Sequence, residues 1–248
     1  EQKIFESLAV RKAISYAIDK QGLVDTVFNG YASPINSPFA FPEEDAVYDP
    51  GAAIEILEKD GWRKNEENIY TKTIGGTLTP LEFSIAIPNV DDMRNVAEKI
   101  ENDLRAIGIP VTIRSYEQGN LNQNIIRPRE YESLLFGYEI EKPSDAYAFW
   151  HSSQISDPGL NVSVFKDASI DTSLQNLRAQ KTTSLTSINQ ALINKFPAVF
   201  LYAPSYIYVL PEKINDASFS LKKSSDRFNT IDNWYVETRH VWSIFINE

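Results

Sequence analysis

Apolar side chains recur along this chain of 248 residues with two different spacings, and the changes of spacing mark its elements. Val10, Ala13, Ile14, Ala17 and Ile18 fall three or four residues apart behind a capping Ser7. That pattern predicts an amphipathic helix with its stripe turned to a core. Leu23, Val24, Val27 and Phe28 form a second, shorter stripe that stops at Gly30. Pro34, Pro38 and Pro42 keep helix out of the loop that follows. Asp49-Pro50 restarts a helix in cap-and-first-turn form, with Ala53, Ile54 and Leu57 as its stripe and Gly61 at its end. Residues 63–80 are polar and rich in Gly and Thr, and predict a hairpin-like excursion around Gly75-Gly76.

The spacing then switches to two. Leu81, Phe83, Ile85 and Ile87 alternate as in a strand; Val96, Ala97, Ile100, Leu104 and Ile107 return to helical spacing; Ile109, Val111 and Ile113 alternate again. Strand, helix and strand of these lengths predict a βαβ unit with a parallel pair. A short helix at 117–127 and a third strand from Tyr131 to Tyr138 follow. From Pro143 the pattern predicts helices at about 145–151, 168–180 and 184–195, then a strand running from Val199 through Pro204 to Leu210. The tail is less regular, with Phe219, Leu221, Phe228, Ile231 and Trp234 before a last apolar run, Val241 to Phe245. The fold class is α/β, a mixed sheet flanked by helices.

Charge and composition narrow the chemistry. A net charge of −10 argues against nucleic acid as a partner, because phosphate binding needs a basic face. No apolar run is long enough to span a bilayer as a helix. Cysteine is absent, which excludes thiolate metal sites, cysteine nucleophiles and disulfides. His151 and His240 are the two histidines and lie far apart in sequence. With neither metal-ligand spacing nor a nucleophile–base pair in view, no cofactor is expected and the residues point away from an enzyme. Acidic pairs such as Glu43-Glu44, Glu66-Glu67 and Asp91-Asp92 read as solvated charge or as helix starts.

The stretch from Phe136 to Gln154 stands out, because it follows the third strand on the side where open α/β sheets place their ligands. It joins aromatics to an acid, Asp145, at the start of a predicted helix. Asp145 or Ser144 can cap that helix, and Asp145 can equally contact a ligand; the residues alone leave both open. Glu139 and Glu141 are alternatives for the same charge. Downstream, Asn161 in Gly159-Leu160-Asn161 reads either as a turn residue or as part of a cleft.

Five segments in order resemble one family. They are Val10-Arg11-Lys12-Ala13-Ile14-Ser15-Tyr16-Ala17-Ile18-Asp19-Lys20 with Gly30 and Pro34; Tyr48-Asp49-Pro50 to Gly61-Trp62; Ala97 to Val111; Phe136 to Gln154; and Phe196-Pro197-Ala198-Val199-Phe200-Leu201-Tyr202. Together they are similar to the middle and later parts of family 5 extracellular solute-binding proteins, the peptide-type receptors of ABC importers. The resemblance implies one lobe of a type II periplasmic-binding-protein-like fold over residues 1–196. Residues 197–248 would be a return strand and a segment completing a first lobe that precedes Glu1. It also implies a peptide ligand, ABC permease subunits as partners, and a periplasmic or extracellular location, free or lipid-anchored through residues upstream. Carried over by position, Asp145 takes the ligand's ammonium group, Tyr138 stands for the aromatic after the glycine, and Asn161 stands for the asparagine of the family's loop near the cleft. One acid stands where many relatives have two, and Lys142 is added. That departure keeps alternatives in play: a receptor or interaction domain without transport, or a non-peptide solute such as a nickel chelate or a sugar.

Overall fold

The computed structural model describes residues 3–39, 48–140, 143–181, 184–215, 226 and 228–236. The chain divides into two compact units, residues 1–203 and 204–248.

The first unit opens with α1 (Leu8–Ala17), whose cap is Ser7, the side chain accepting the Val10 N–H. Helix α2 (Lys20–Phe28) is capped by Asp19 and closed by Asn29 in the left-handed region. A short strand β1 (Ala32–Pro34) follows, and α3 (Pro50–Lys59) starts under an Asp49 cap with proline in its first turn. Strands β2 (Arg63–Lys64), β3 (Tyr70–Ile74) and β4 (Thr77–Pro80) make the expected excursion as an antiparallel meander. Strand β5 (Phe83–Pro88), helix α4 (Asp91–Ile107) and strand β6 (Val111–Tyr116) form the βαβ unit, with β5 and β6 parallel from Phe83 against Val111 to Pro88 against Tyr116. Gly108 ends α4 with φ +97, and a Cβ there would meet the Asn68 carbonyl at 2.5 Å, so glycine is required.

A short turn, α5 (Gln118–Asn120), widens into a π turn at Leu121–Ile126. Strand β7 (Ser133–Leu134) pairs parallel with β5 on the side away from β6, giving the order β6–β5–β7. The eight-residue strand expected here is thus cut to two. Its start is taken over by a side chain, because the Glu132 carboxylate accepts both the N–H and the hydroxyl of Ser84, while the Ser133 hydroxyl donates to the Ser84 carbonyl. Past Leu135 the chain leaves the sheet altogether.

Two hydrophobic cores lie inside this unit. The first gathers α1, α3, α4 and the sheet around Leu57, Trp62, Tyr70, Leu81, Ile87 and Leu104, none of which is exposed. Each such aliphatic side chain contributes about 1.5–3 kcal/mol by leaving water. Its edge is locked by Asp60, whose Oδ2 accepts from the Ser7 hydroxyl (3.0 Å), the Trp62 indole (3.2 Å) and the Lys72 ammonium (2.9 Å). Burial would push that carboxyl up, but the three donors outweigh it and hold it below the usual carboxylate range.

The second core is built by α6 (Ala146–Trp150), α7 (Ala168–Arg178) and α8 (Leu185–Lys195), with Phe39, Phe200 and Ala198 packed in. Asp167 caps α7 and is drawn down to about 2, first by the Ser169 hydroxyl and then, against the cost of burial, by Lys195 at 3.1 Å and the Ile170 N–H.

Arg11 ties the cores together. Its guanidinium donates to the Phe196 and Lys195 carbonyls at the end of α8 (2.8 and 2.9 Å) and to the Phe5 and Glu6 carbonyls. A cation at a helix C-terminus is favourable, since the last carbonyls carry the negative end of the dipole.

The return segment shows the alternation of a strand: Val199 and Leu201 pack on the first core, Ala198 and Phe200 on the second. Only β8 (Tyr202–Pro204) is hydrogen-bonded as one, against β1. The expected run to Leu210 is cut short because its partner is three residues long and both end in proline, which has no N–H to give.

The second unit carries a two-residue antiparallel ribbon, β9 (Ile214–Asn215) with β10 (Tyr235–Val236), and a ring contact between Tyr208 and Trp234 at 6.2 Å. Ile207 and Val209 are exposed. Phe219, Leu221, His240, the run 241–245, Glu141, Lys142, Pro42 and the Glu43-Glu44 pair lie outside the described residues.

Candidate functional site

Where β7 ends, the chain crosses from the first core to the second and passes through the candidate residues. Phe136 and Gly137 are exposed; Tyr138 turns its ring inward, stacked on Phe149 (centroids 4.3 Å, 18° between planes) and edge-on to Trp150 (6.1 Å, 70°). Trp150 in turn meets Phe200 edge-on at 5.7 Å, and Phe136 leans on Tyr138 at 6.4 Å. The result is an aromatic wall graded from an exposed rung, Phe136, to a buried one, Trp150. The edge-to-face contacts in it suit the ring quadrupoles.

Helix α6 is the common member of the site. Ser144 and Asp145 form the tight turn Pro143–Asp145 that leads into it, and Phe149 and Trp150 on it hold Tyr138. Asp145 makes no side-chain cap bond to α6, so the structure does not use it as a cap. Glu139 is exposed beside Tyr138.

Asn161 is fully buried and braces the far end of the same helix. Its amide donates to the His151 carbonyl (3.2 Å) and the Phe165 carbonyl (3.0 Å), and its oxygen accepts the Ser163 hydroxyl (2.9 Å). The loop that holds it is fastened by Arg129, which donates to the Ile155 carbonyl (2.9 Å) and the Gly159 carbonyl (2.7 Å), and by the Tyr131 hydroxyl on the Val162 carbonyl. Burial pushes the Tyr131 phenol up, against the nearby Arg129 charge. A Cβ on Gly159 would meet the Gln154 carbonyl at 2.1 Å, so only glycine allows the loop to close this tightly.

His151 received no role from its sequence context, and its place in the structure is a bracing one. Its Nδ1 lies 3.0 Å from the Ser153 backbone N–H and 2.8 Å from the Ser153 hydroxyl, and its Nε2 lies 3.0 Å from the Gln175 side-chain nitrogen. Tyr147 stacks on the ring at 4.2 Å, with the Arg178 guanidinium over Tyr147 at 4.6 Å. Asp171 accepts the Ser152 N–H at 2.9 Å and its hydroxyl as well.

The structure thus joins Tyr138, Ser144, Asp145 and Asn161 through one short helix, with Glu139 at the rim. Sequence reasoning missed the arginines: Arg11 and Arg129 spend their donors on backbone carbonyls, for which no sequence pattern exists. It also missed two sealed polar atoms in the wall. Among the described residues, neither the Tyr138 hydroxyl nor the Trp150 indole N–H has a hydrogen-bond partner. Burial pushes the Tyr138 phenol well above its ordinary range, and the neighbouring Trp150 indole N–H pulls it the other way.

Comparison with known proteins covers nearly the whole chain. Residues 1–158 match the model of the bacterial extracellular solute-binding proteins, family 5 Middle. The oligopeptide-binding protein AppA of Bacillus subtilis is 25% identical over 253 residues, 95% of this chain and 45% of its own length. The structure of AppA in complex with a nonapeptide superimposes with a TM-score of 0.75 at 23% identity, covering 96% of this chain and 49% of that one. A dipeptide-binding protein of Pseudomonas aeruginosa is 29% identical over 178 residues, 68% of this chain and 31% of its own. The nickel-binding periplasmic protein of Escherichia coli is 27% identical over 157 residues, 60% of this chain and 29% of its own. The chain therefore spans less than half the length of each of these relatives.

Proposed function

The chain belongs to the bacterial extracellular solute-binding proteins, family 5, and from that premise we propose that it is the second ligand-binding lobe of a receptor that delivers short peptides to an ABC permease. The observation that carries this reading is the likeness to AppA along 95% of the chain, through the candidate site and beyond it. In this reading residues 1–196 form the lobe, and the return segment with the second unit completes a first lobe. The receptor works outside the cytoplasmic membrane and performs no covalent chemistry. Ligand closes the two lobes because it binds the closed arrangement better than the open one.

The site divides the work. Asp145 takes the peptide's ammonium terminus, the graded aromatic wall supplies apolar surface for side chains, and water-filled surroundings tolerate sequence variation. Glu139 lies at the rim, where charge steers a cationic end more than it holds it. Ser144 and Asn161 set the ends of α6, and with it the placing of Asp145.

The test is calorimetry on the protein with both lobes, using a mixed library of short peptides. Heat of binding is expected, and Asp145→Ala should weaken free peptides about tenfold to a hundredfold, the usual worth of a hydrogen bond to a charged group. N-acetylated peptides, which lack the ammonium, should lose little. Equal losses for both would remove the role assigned to Asp145; no heat with any peptide would sink the reading.

The likeness to the nickel-binding protein favours a metal chelate as a second reading. Among the described residues there is no group of three His, Cys, Asp or Glu placed to hold a metal ion. A chelate would then be recognised through its organic part, and the same titration with a nickel–histidine complex in place of peptides decides between them.

A further inference from the structure

The aromatic wall holds two polar atoms that meet no hydrogen-bond partner among the described residues. Trp150 is 3% exposed and its indole N–H can only donate; Tyr138 is half-buried overall, yet its hydroxyl is sealed. Buried polar atoms in folded proteins are overwhelmingly paired, and each one left unpaired destabilises the state that contains it. Two of them side by side, within the element that carries the candidate residues, call for a state in which they are paired.

We propose that the Tyr138 hydroxyl and the Trp150 indole N–H form a two-donor contact for a carbonyl or carboxylate oxygen of the bound peptide, closed in this structure and opened by rotation of the Tyr138 side chain. The inference rests on the peptide-binding reading and adds to it a contact of opposite polarity to Asp145. Trp150 is the fixed member. It lies against Phe200, and its helix is braced at once by Asn161 on the His151 carbonyl and by the Ser153–His151–Gln175 chain. Tyr138 is the moving member. It sits on an irregular segment between exposed Gly137 and exposed Glu139, and its ring is held by contacts with other rings, with no hydrogen bond from its hydroxyl.

The chemistry selects the ligand group. An indole N–H has no acceptor capacity, and a tyrosine hydroxyl turned beside it has its proton to give. A single oxygen with two lone pairs satisfies both. Peptide backbones present such an oxygen at every residue, so the contact orients a ligand without reading its side chains. Rotation also removes the unpaired state, which makes part of the apparent affinity a release of tension already present in the empty lobe.

Tyr138→Phe tests this, because it keeps the ring and deletes the hydroxyl. In the protein with both lobes, the unliganded Tm should hold or rise, while the affinity for a library of short alanine-based peptides should fall on the order of tenfold. In ¹⁵N spectra the Trp150 indole resonance, assigned by its loss in Trp150→Phe, should move downfield when peptide is added to the unmodified protein. Unchanged affinity in Tyr138→Phe with a stationary indole resonance would overturn the proposal and leave the hydroxyl a packing imperfection. A fall in affinity with a stationary resonance would overturn the part given to Trp150. If the unmodified protein binds no peptide, the functional reading beneath the inference fails first, and the inference with it.

Discussion

The two cores of the first unit solve the same problem of burial with opposite tolerances. Around Leu57, Trp62 and Leu104, polar groups are closed into bonds, as at Asp60. Non-glycine residues at positive φ there are Asn29 and Asn68, the residue type that accepts the left-handed region most readily. From Arg129 onward the residues at positive φ are Arg129, Val164, Gln180 and Phe196, including a β-branched one. Of the four buried side-chain atoms without a partner among the described residues, Tyr138, Trp150 and Asn189 belong to this later part and only Tyr70 to the earlier. Strain and unmet bonds are commoner in the part of the chain that also carries the proposed ligand contacts, as expected if the first core is scaffold and the second is the working surface.

That contrast breaks most easily in the scaffold. Trp62→Ala removes a fully buried ring and its bond to Asp60, and should cost about 3–5 kcal/mol by urea denaturation. Loss of under 1 kcal/mol would mean that the first core is no better packed than the second.

Lys20 is the place where the scaffold departs from its own rule. It is 2% exposed, and its ammonium reaches the Asn36 side chain (2.6 Å) and the Ile35 carbonyl (3.3 Å) rather than a carboxylate. Burial lowers its pKa from 10.5 to about 8. The unfolded chain therefore holds the proton more tightly than the folded one between these values, and stability should rise as pH climbs from about 8 to about 10.5. The shift corresponds to roughly 3 kcal/mol. The unmodified protein should show this rise in denaturation measured across that range, and Lys20→Met should be flat. A flat profile in both would place the ammonium in contact with water or a carboxylate.

The smallest effect probes the strain directly. Val164 has φ 56, which crowds its branched side chain against its own backbone. Val164→Gly should therefore stabilise the protein by about 1 kcal/mol, set against the freedom glycine adds to the unfolded chain. Thermal unfolding measures it, and destabilisation would show that the valine side chain contributes more through packing than its backbone loses.

Much of this was legible in the residues themselves. Ser7, Asp49 and Gly108 bounded helices as their chemistry demands, and the alternation of Phe83, Ile85 and Ile87 followed by the stripe from Val96 to Ile107 specified the βαβ unit. Local patterns of this kind act through one turn or one strand, so a reader of the chain meets all the parts together. The shortened strands at Ser133–Leu134 and Tyr202–Pro204 were not legible, because a strand's length is set by its partner. Here the partner positions were taken by the Glu132 side chain in one case and limited by three residues of β1 in the other.

The candidate site divides along the same line. That Tyr138, Ser144 and Asp145 lie together after a strand followed from sequence alone, since they are neighbours in the chain. That Asn161 serves their helix from its far end, that Arg11 and Arg129 hold the surrounding segments by backbone carbonyls, and that two polar atoms are sealed in the wall were decided only by the tertiary structure. Hydrophobic period and capping are properties of consecutive residues. Burial, and the question of whether a buried donor meets an acceptor, are properties of what folding brings from elsewhere.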